Sequence, residues 1–181
     1  MTHLFSSERL GFRNWQPSDL KPFSEMNADE RVMEYFPSVL SKKESDALVG
    51  RFIAHFDQRA YTYFAVDQLV NNEFIGFIGL AYQEYDTDFN PSVDIGWRLK
   101  YGAWGKGFAT EGARKCLDYG FGTLNLPRIN AIATVGNDKS TNVMDKIGMK
   151  RMKSFEHPKL LNTPDYKNCW LYAIENHNFS E

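Results

Sequence analysis

The eight residues Trp104-Gly-Lys-Gly-Phe-Ala-Thr-Glu111 stand between a strand-like run and a helix-like one. Gly105 and Gly107 leave backbone N–H groups uncovered. The first turn of the following helix adds donors without intrahelical partners, and its dipole favours negative charge there. Lys106 can add a cation. This is the chemistry of phosphate binding, although a ligand-free glycine turn has the same composition, so the surroundings must decide. The Walker pattern GxxxxGK[ST] fails, because Gly107 follows Lys106 and Lys100 stands five positions before Gly105. The dinucleotide pattern GxGxxG fails at Thr110. It also wants an acidic residue about 20 positions on, where Pro127 and Arg128 stand. Two further groups can handle protons: the carboxylate of Asp94, which shares one strand face with Gly96 and Arg98, and the hydroxyl of Ser140 at a helix start. A structural Asp94–Arg98 ion pair and a capping Ser140 are the plain alternatives.

Those residues need elements to hold them. Leu10 and Phe12 alternate in a first strand over 9–15, and Ser18 is placed to cap a helix bearing Leu20, Phe23 and Met26. Ser41-Lys-Lys-Glu44 is a capping box, followed at helical spacing by Leu48, Val49, Phe52, Ile53 and Phe56. Two β-rich runs flank Asn71-Asn72, which predicts a hairpin over 61–82. Val93–Leu99 alternates as a strand. A stripe of Ala109, Gly112, Ala113, Cys116, Leu117, Gly120 and Phe121 then predicts a helix whose small residues pack closely on a sheet. Ile129–Val135 reads as a buried strand. A short helix with Val143, Met144 and Ile147 follows, ending at Gly148, and 150–155 and 168–174 supply two last strands. The order is β α α β β β α β α β β: one α/β (α+β) domain spanning 1–181, a mixed sheet of seven strands and four helices.

Composition narrows the classes. The 181 residues carry a net charge of −2 and 43% hydrophobic residues, enough chain to bury a core without disulfides or metals. Cys116 and Cys169 lie far apart with no CxxC spacing, and His3, His55, His157 and His177 form no ligand pair. We therefore expect no metal. The N-terminus lacks the pattern of a signal peptide, and no apolar run approaches a membrane span, so a cytoplasmic protein is expected, with no membrane partner. A near-neutral charge gives no general attraction to nucleic acid.

The string WGKGFATEG resembles the pyrophosphate loop of the GNAT superfamily, Q/R-x-x-G-x-G/A, in the RimJ/RimL-like branch, where an aromatic residue is common at the first position. SERLGFRNWQPSDL, VDIGWRL and the helix motif Asn137-Asp-Lys-Ser140 extend the similarity over about residues 8–174. The resemblance implies an N-acetyltransferase using acetyl-CoA as co-substrate. The cofactor would lie in a V-shaped opening between strands 93–99 and 129–135. Backbone at Trp97, Arg98 and Leu99 would pair with pantetheine, and Trp104, Gly105, Lys106, Gly107, Phe108, Ala109 and Thr110 would surround the pyrophosphate. Asn137 and Asn142 would contact the pantetheine arm or the acceptor. Asp94 matches a position where the branch usually has Glu, and would deprotonate the amine acceptor, with a bridging water to make up its shorter reach. Ser140 would protonate the departing thiolate, since the usual tyrosine position is Met144. Glu84 is a fallback base, and Glu111 a first-turn residue. Tyr35, Phe36 and Pro37 would wall the acceptor cleft, with His157 near it. The acceptor would be a peptide N-terminus or a small-molecule amine, and the protein a monomer or homodimer. A non-catalytic acyl-CoA-binding module is the alternative, and the acidic run Glu84, Asp86, Asp88 reads as a solvated loop.

Overall fold

The computed structural model describes residues 2–176; His177 lies outside the described residues. Its strands are β1 (Phe5–Ser6), β2 (Leu10–Arg13), β3 (Tyr63–Gln68), β4 (Glu73–Gln83), β5 (Ser92–Leu99), β6 (Arg128–Thr134), β7 (Lys150–Glu156) and β8 (Asn168–Glu175). They form one mixed sheet in the order β1-β2-β3-β4-β5-β6-β8-β7. The helices are α1 (Leu20–Asn27), α2 (Lys42–Arg59), α3 (Phe108–Gly122) and α4 (Asp138–Lys146). The eight strands exceed the expected seven by β1, a two-residue strand that folds back on β2 with Phe5 opposite Phe12. A pairing that short shows no alternation for a sequence to display.

Local chemistry explains most boundaries. The Ser41 hydroxyl accepts from the Glu44 N–H while the Glu44 carboxylate accepts from the Ser41 N–H, starting α2 as a reciprocal cap. Val49 and Phe52 of α2 are buried, but Ile53 points outward. α1 begins differently from the expectation. Pro17–Asp19 form a 3-10 turn in which the Asp19 carboxylate, rather than Ser18, accepts from the Gln16 N–H at 2.8 Å. Asn72 takes a left-handed φ of 54° at the β3–β4 hairpin.

The sheet is covered on both faces. α3 and α4 pack on one, over Leu10, Phe12, Phe64, Val66, Ile78, Leu80 and Ile95; α1 and α2 cover the other, where Trp15, Phe23, Phe52, Ala65 and Phe77 meet. The alternation Phe64-Ala65-Val66 sends successive β3 side chains to opposite layers. α3 approaches so closely at Gly112 that a Cβ there would stand 2.3 Å from the Ile78 Cδ1. Each fully buried large side chain in these layers contributes roughly 1.5–3 kcal/mol.

One interruption in the sheet creates the site. β4 and β5 pair antiparallel from Gly76↔Leu99 to Gln83↔Ser92, whereas β5 and β6 run parallel and meet in register at Asp94↔Asn130. β6 pairs with β8 along its length. From Ile95 to Leu99 the β6-facing edge of β5 therefore has no strand beside it.

Candidate active site

A cavity of about 920 Å³ opens at this fork. β5 supplies its floor through Asp94, Gly96 and Arg98; the 104–110 loop closes one end, α4 one side, and the α1–α2 segment and residues 157–160 the other. The expected alternation of β5 holds.

Asp94 is clamped by two donors. The Tyr63 hydroxyl donates to its Oδ1 at 2.6 Å, and the Gln83 Nε2 donates to its Oδ2 at 3.2 Å. Tyr63 reaches across from β3 because Tyr63, Gly79 and Gly96 stand in register on β3, β4 and β5. β3 and β4 come so close at Gly79 that a Cβ would meet the Tyr63 Cα at 2.6 Å, and a Cβ on Gly96 would press on the Tyr63 ring at 3.0 Å. Burial pushes the Asp94 carboxyl up to about 6, against the hydrogen bonds from Tyr63 and Gln83 and the charge of Lys159, which favour ionisation. It is a carboxylate at neutral pH. Burial and the neighbouring carboxylate push the Tyr63 hydroxyl well above 10, so it stays protonated and donates.

The 104–110 loop leaves backbone N–H groups open to the cavity end. Gly105 and Gly107 take left-handed φ of 72° and 78°, a conformation that costs any residue with a Cβ about 1–2 kcal/mol. Gly107 is the N-cap of α3 and has no side chain to satisfy the first-turn N–H groups. Open space lies beside Gly105. Behind the loop, the Arg9 Nη1 donates to the Lys106 carbonyl at 3.1 Å, and Glu111 accepts from the Ser7 hydroxyl and from Arg9, tying α3 to the β1–β2 turn. The Trp104 indole N–H donates to the Leu99 carbonyl at 2.8 Å.

The comparisons with known proteins agree with one another. A family model described as an acetyltransferase (GNAT) domain matches residues 9–150. The chain belongs to the GNAT acetyltransferase family. An uncharacterized N-acetyltransferase of Bacillus subtilis, YnaD, is 30% identical over 152 residues, covering 83% of this chain and 85% of its own. The crystal structure of a GNAT-family acetyltransferase from Bacillus anthracis superposes with a TM-score of 0.78 at 28% identity, covering 94% of this chain and 97% of its own. Spermidine N-acetyltransferase from Vibrio cholerae, solved in complex with CoA and spermine, shares the fold with a TM-score of 0.73 at 22% identity, covering 93% and 96%. This GNAT protein is accordingly an acetyl-CoA-dependent acyltransferase, with acetyl-CoA as its co-substrate.

The residues of the chain fit that group. The unpaired β5 edge offers backbone donors and acceptors for a strand-like arm, and the 105–110 loop offers amides for phosphates. Trp97, Arg98, Leu99, Trp104, Gly105, Gly107, Phe108, Ala109, Thr110, Asn137 and Ser140 all line the cavity. The Leu99 carbonyl is already engaged by Trp104. Lys106 and Asn142 are exposed and do not line the cavity. Asn137 has a structural task as well: its side chain accepts from the Ser140 N–H at 3.1 Å and caps α4. That frees the Ser140 hydroxyl from capping. Buried Met144 lines the cavity at the position where the resemblance implies a tyrosine in many GNAT enzymes.

Other expectations sort cleanly. Tyr35, Phe36 and Pro37 line the cavity. His157 does too, with its ring 4.7 Å from that of Tyr85 and its Nδ1 accepting from the Lys159 N–H; burial holds its pKa below the usual value. Glu84 is exposed beyond the end of β4 and does not line the cavity. Asp86 and Asp88 are likewise exposed, Asp88 pairing with Lys153. Arg98 does not pair with Asp94; its Nη1 donates to the Asn27 Oδ1 at 2.7 Å. Sequence reasoning missed Tyr63, Gln83 and Asn27. The only available signal was the glycine pair Gly79 and Gly96, which could announce a ring crossing the sheet but not which ring.

Among the described residues, no group of three or more His, Cys, Asp or Glu could hold a metal, and no helix is long and apolar enough to cross a membrane. Cys116 and Cys169 are free and buried.

Proposed function

We propose that this GNAT acetyltransferase transfers acetyl to a primary amine by direct attack, with Asp94 as the general base and a peptide N-terminus, as in RimJ/RimL-like enzymes, as the acceptor. The carrying observation is the carboxylate at the strand fork, held by Tyr63 and Gln83 and ionised above about pH 6. Bound acetyl-CoA supplies the acyl thioester. Everything else falls to the chain. A peptide α-ammonium, with a pKa of about 7.7–8.0, is mostly protonated at neutral pH, so a base must take a proton before attack. The half-buried Asp94 receives it through one water, the Asp side chain being a methylene shorter than Glu. The 105–110 amides bind phosphate, and the β5 backbone orients the pantetheine arm. Ser140, which lines the cavity, supplies a proton from its hydroxyl to the departing sulfur.

Tryptophan fluorescence tests the binding half, because Trp97 and Trp104 both line the cavity. Acetyl-CoA is expected to quench it saturably and NAD is not. CoA release is then followed with N-terminal peptides and with spermidine. Saturable acetyl-CoA binding with no CoA release for any amine would replace catalysis by a non-catalytic acyl-CoA-binding role.

A further inference from the structure

Arg98 is the unusual charge of this cavity. Its side chain lies largely buried between the rings of Phe36 and Phe77, 4.2 and 5.6 Å from their centroids, with Asn27 accepting from Nη1. Its Nε is buried without any hydrogen-bond partner, and no carboxylate of the described residues reaches the guanidinium. A buried cation so placed is costly unless something completes it. The other cations of the cavity differ. Arg31 is paired with Asp29 and Lys139 with Glu34, and Lys146 stands at the α3 end of the cavity, where phosphates would arrive. Asp94 is the one carboxylate in the lining, and Lys159 lies close enough to act on its charge.

Position separates Arg98 from the phosphate loop. It shares its strand face with Asp94, and that face turns toward the α1–α2 layer through Phe77 and Asn27, the side on which Tyr63 holds the base. Four residues of strand put Asp94 and Arg98 about 13 Å apart along β5, a span that an extended peptide covers in about four residues.

We infer that the acceptor carries a carboxylate beside its amine, an acidic side chain within the first few residues of a peptide, and that Arg98 receives it. The inference rests on the acetyl-transfer reading of the same site and narrows its substrate class. Arg98 offers a planar set of donors suited to a carboxylate, and burial between two rings strengthens the pairing. A polyamine meets the reverse: one acid against unpaired Arg98 and Lys159.

The test uses the full chain loaded with CoA. Calorimetry compares a hexapeptide with a free amine and Glu at its third and fourth positions with the same peptide bearing Gln there, and with spermidine. The Glu peptide is expected to bind about tenfold or more tightly than the Gln peptide, and Arg98→Gln to abolish the difference while Arg98→Lys keeps part of it. Equal binding of the two peptides to the wild type overturns the inference without any variant. So does spermidine binding more tightly than both. Weaker acetyl-CoA binding by Arg98→Gln with the Glu preference intact reassigns Arg98 to the co-substrate and also overturns it. CoA release recorded in parallel samples, in which acetyl-CoA replaces CoA, keeps the two readings apart. Preference without turnover breaks only the transfer reading, and equal turnover of both peptides at equal affinity breaks only this one.

Discussion

Two arginines on one sheet mark two kinds of region. Arg13 of β2 is buried and complete: Nε and Nη2 donate to Asp67 at 2.6 and 2.7 Å, Nη1 and Nη2 to Asp19 at 2.6 and 2.9 Å, and Nη1 also to the Asn14 carbonyl at 3.2 Å. His3 adds a contact to Asp67 at 3.1 Å. All five N–H donors are spent within the chain. Burial pulls the Arg13 pKa down, but the hydrogen bonds and charges of Asp19 and Asp67 outweigh it and raise it. Arg98 of β5 has one amide oxygen, two rings and an idle Nε, and burial lowers its pKa to about 10. It remains charged at neutral pH. The first arrangement locks β2, β3 and the turn before α1 together; the second keeps donors in reserve beside a cavity. A satisfied buried charge fixes structure, whereas an unsatisfied one facing open space is poised for a ligand.

The sharpest way to break that contrast is to open the closed cluster. Arg13→Gln leaves Asp19 and Asp67 buried without their cation and is expected to cost roughly 3–5 kcal/mol, a fall of about 10 °C in Tm by thermal unfolding. Acetyl transfer per folded molecule should be unchanged. A loss under about 1 kcal/mol would erase the distinction between the regions.

Asp94→Asn should act in the opposite sense on the two measures. Transfer at neutral pH is expected to fall about a hundredfold or more, as removal of a general base predicts. Stability should rise. The Asp94 carboxyl sits at about 6 in the folded protein, above its unfolded value near 3.9, so folding disfavours its charge. This group therefore costs stability above pH 6, and the cost fades as pH falls from 6 toward 4. Removing it should gain on the order of 1–3 kcal/mol at pH 7. In the unmodified enzyme, kcat/KM should decline below about pH 6; a profile flat to pH 5 would remove Asp94 from the base role.

Tyr63→Phe gives the smallest and most local effect. It deletes a donor to the ionised form of Asp94 at a stability cost of about 1 kcal/mol. The acidic limb of the pH profile should then move upward from its unmodified position. An unmoved limb would show that the 2.6 Å contact does not tune the base.

Much of this was written locally. The Ser41–Glu44 cap, the hairpin at Asn72, the Gly105–Gly107 turn and the Val93–Leu99 alternation each depend on residues within a few positions of one another. Backbone φ preferences and side-chain periodicity set such features before any tertiary contact forms. The two-residue β1 and the 3-10 start of α1 escaped because they are shorter than any period, and Ile53 pointed outward because helical spacing alone does not set the width of the buried face.

The sequence by itself thus determined the strand–loop–helix with its glycine turn at Gly105 and Gly107 and the strand face carrying Asp94, Gly96 and Arg98. Tertiary structure decided who stands beside them. Tyr63 meets Asp94 across two strand pairings, Asn27 meets Arg98 from another layer, and Arg13 rather than Arg98 obtains the carboxylates. Alternation assigns a residue to a face, but the partner on that face comes from strand register and layer packing between positions far apart in the chain, which no local spacing encodes.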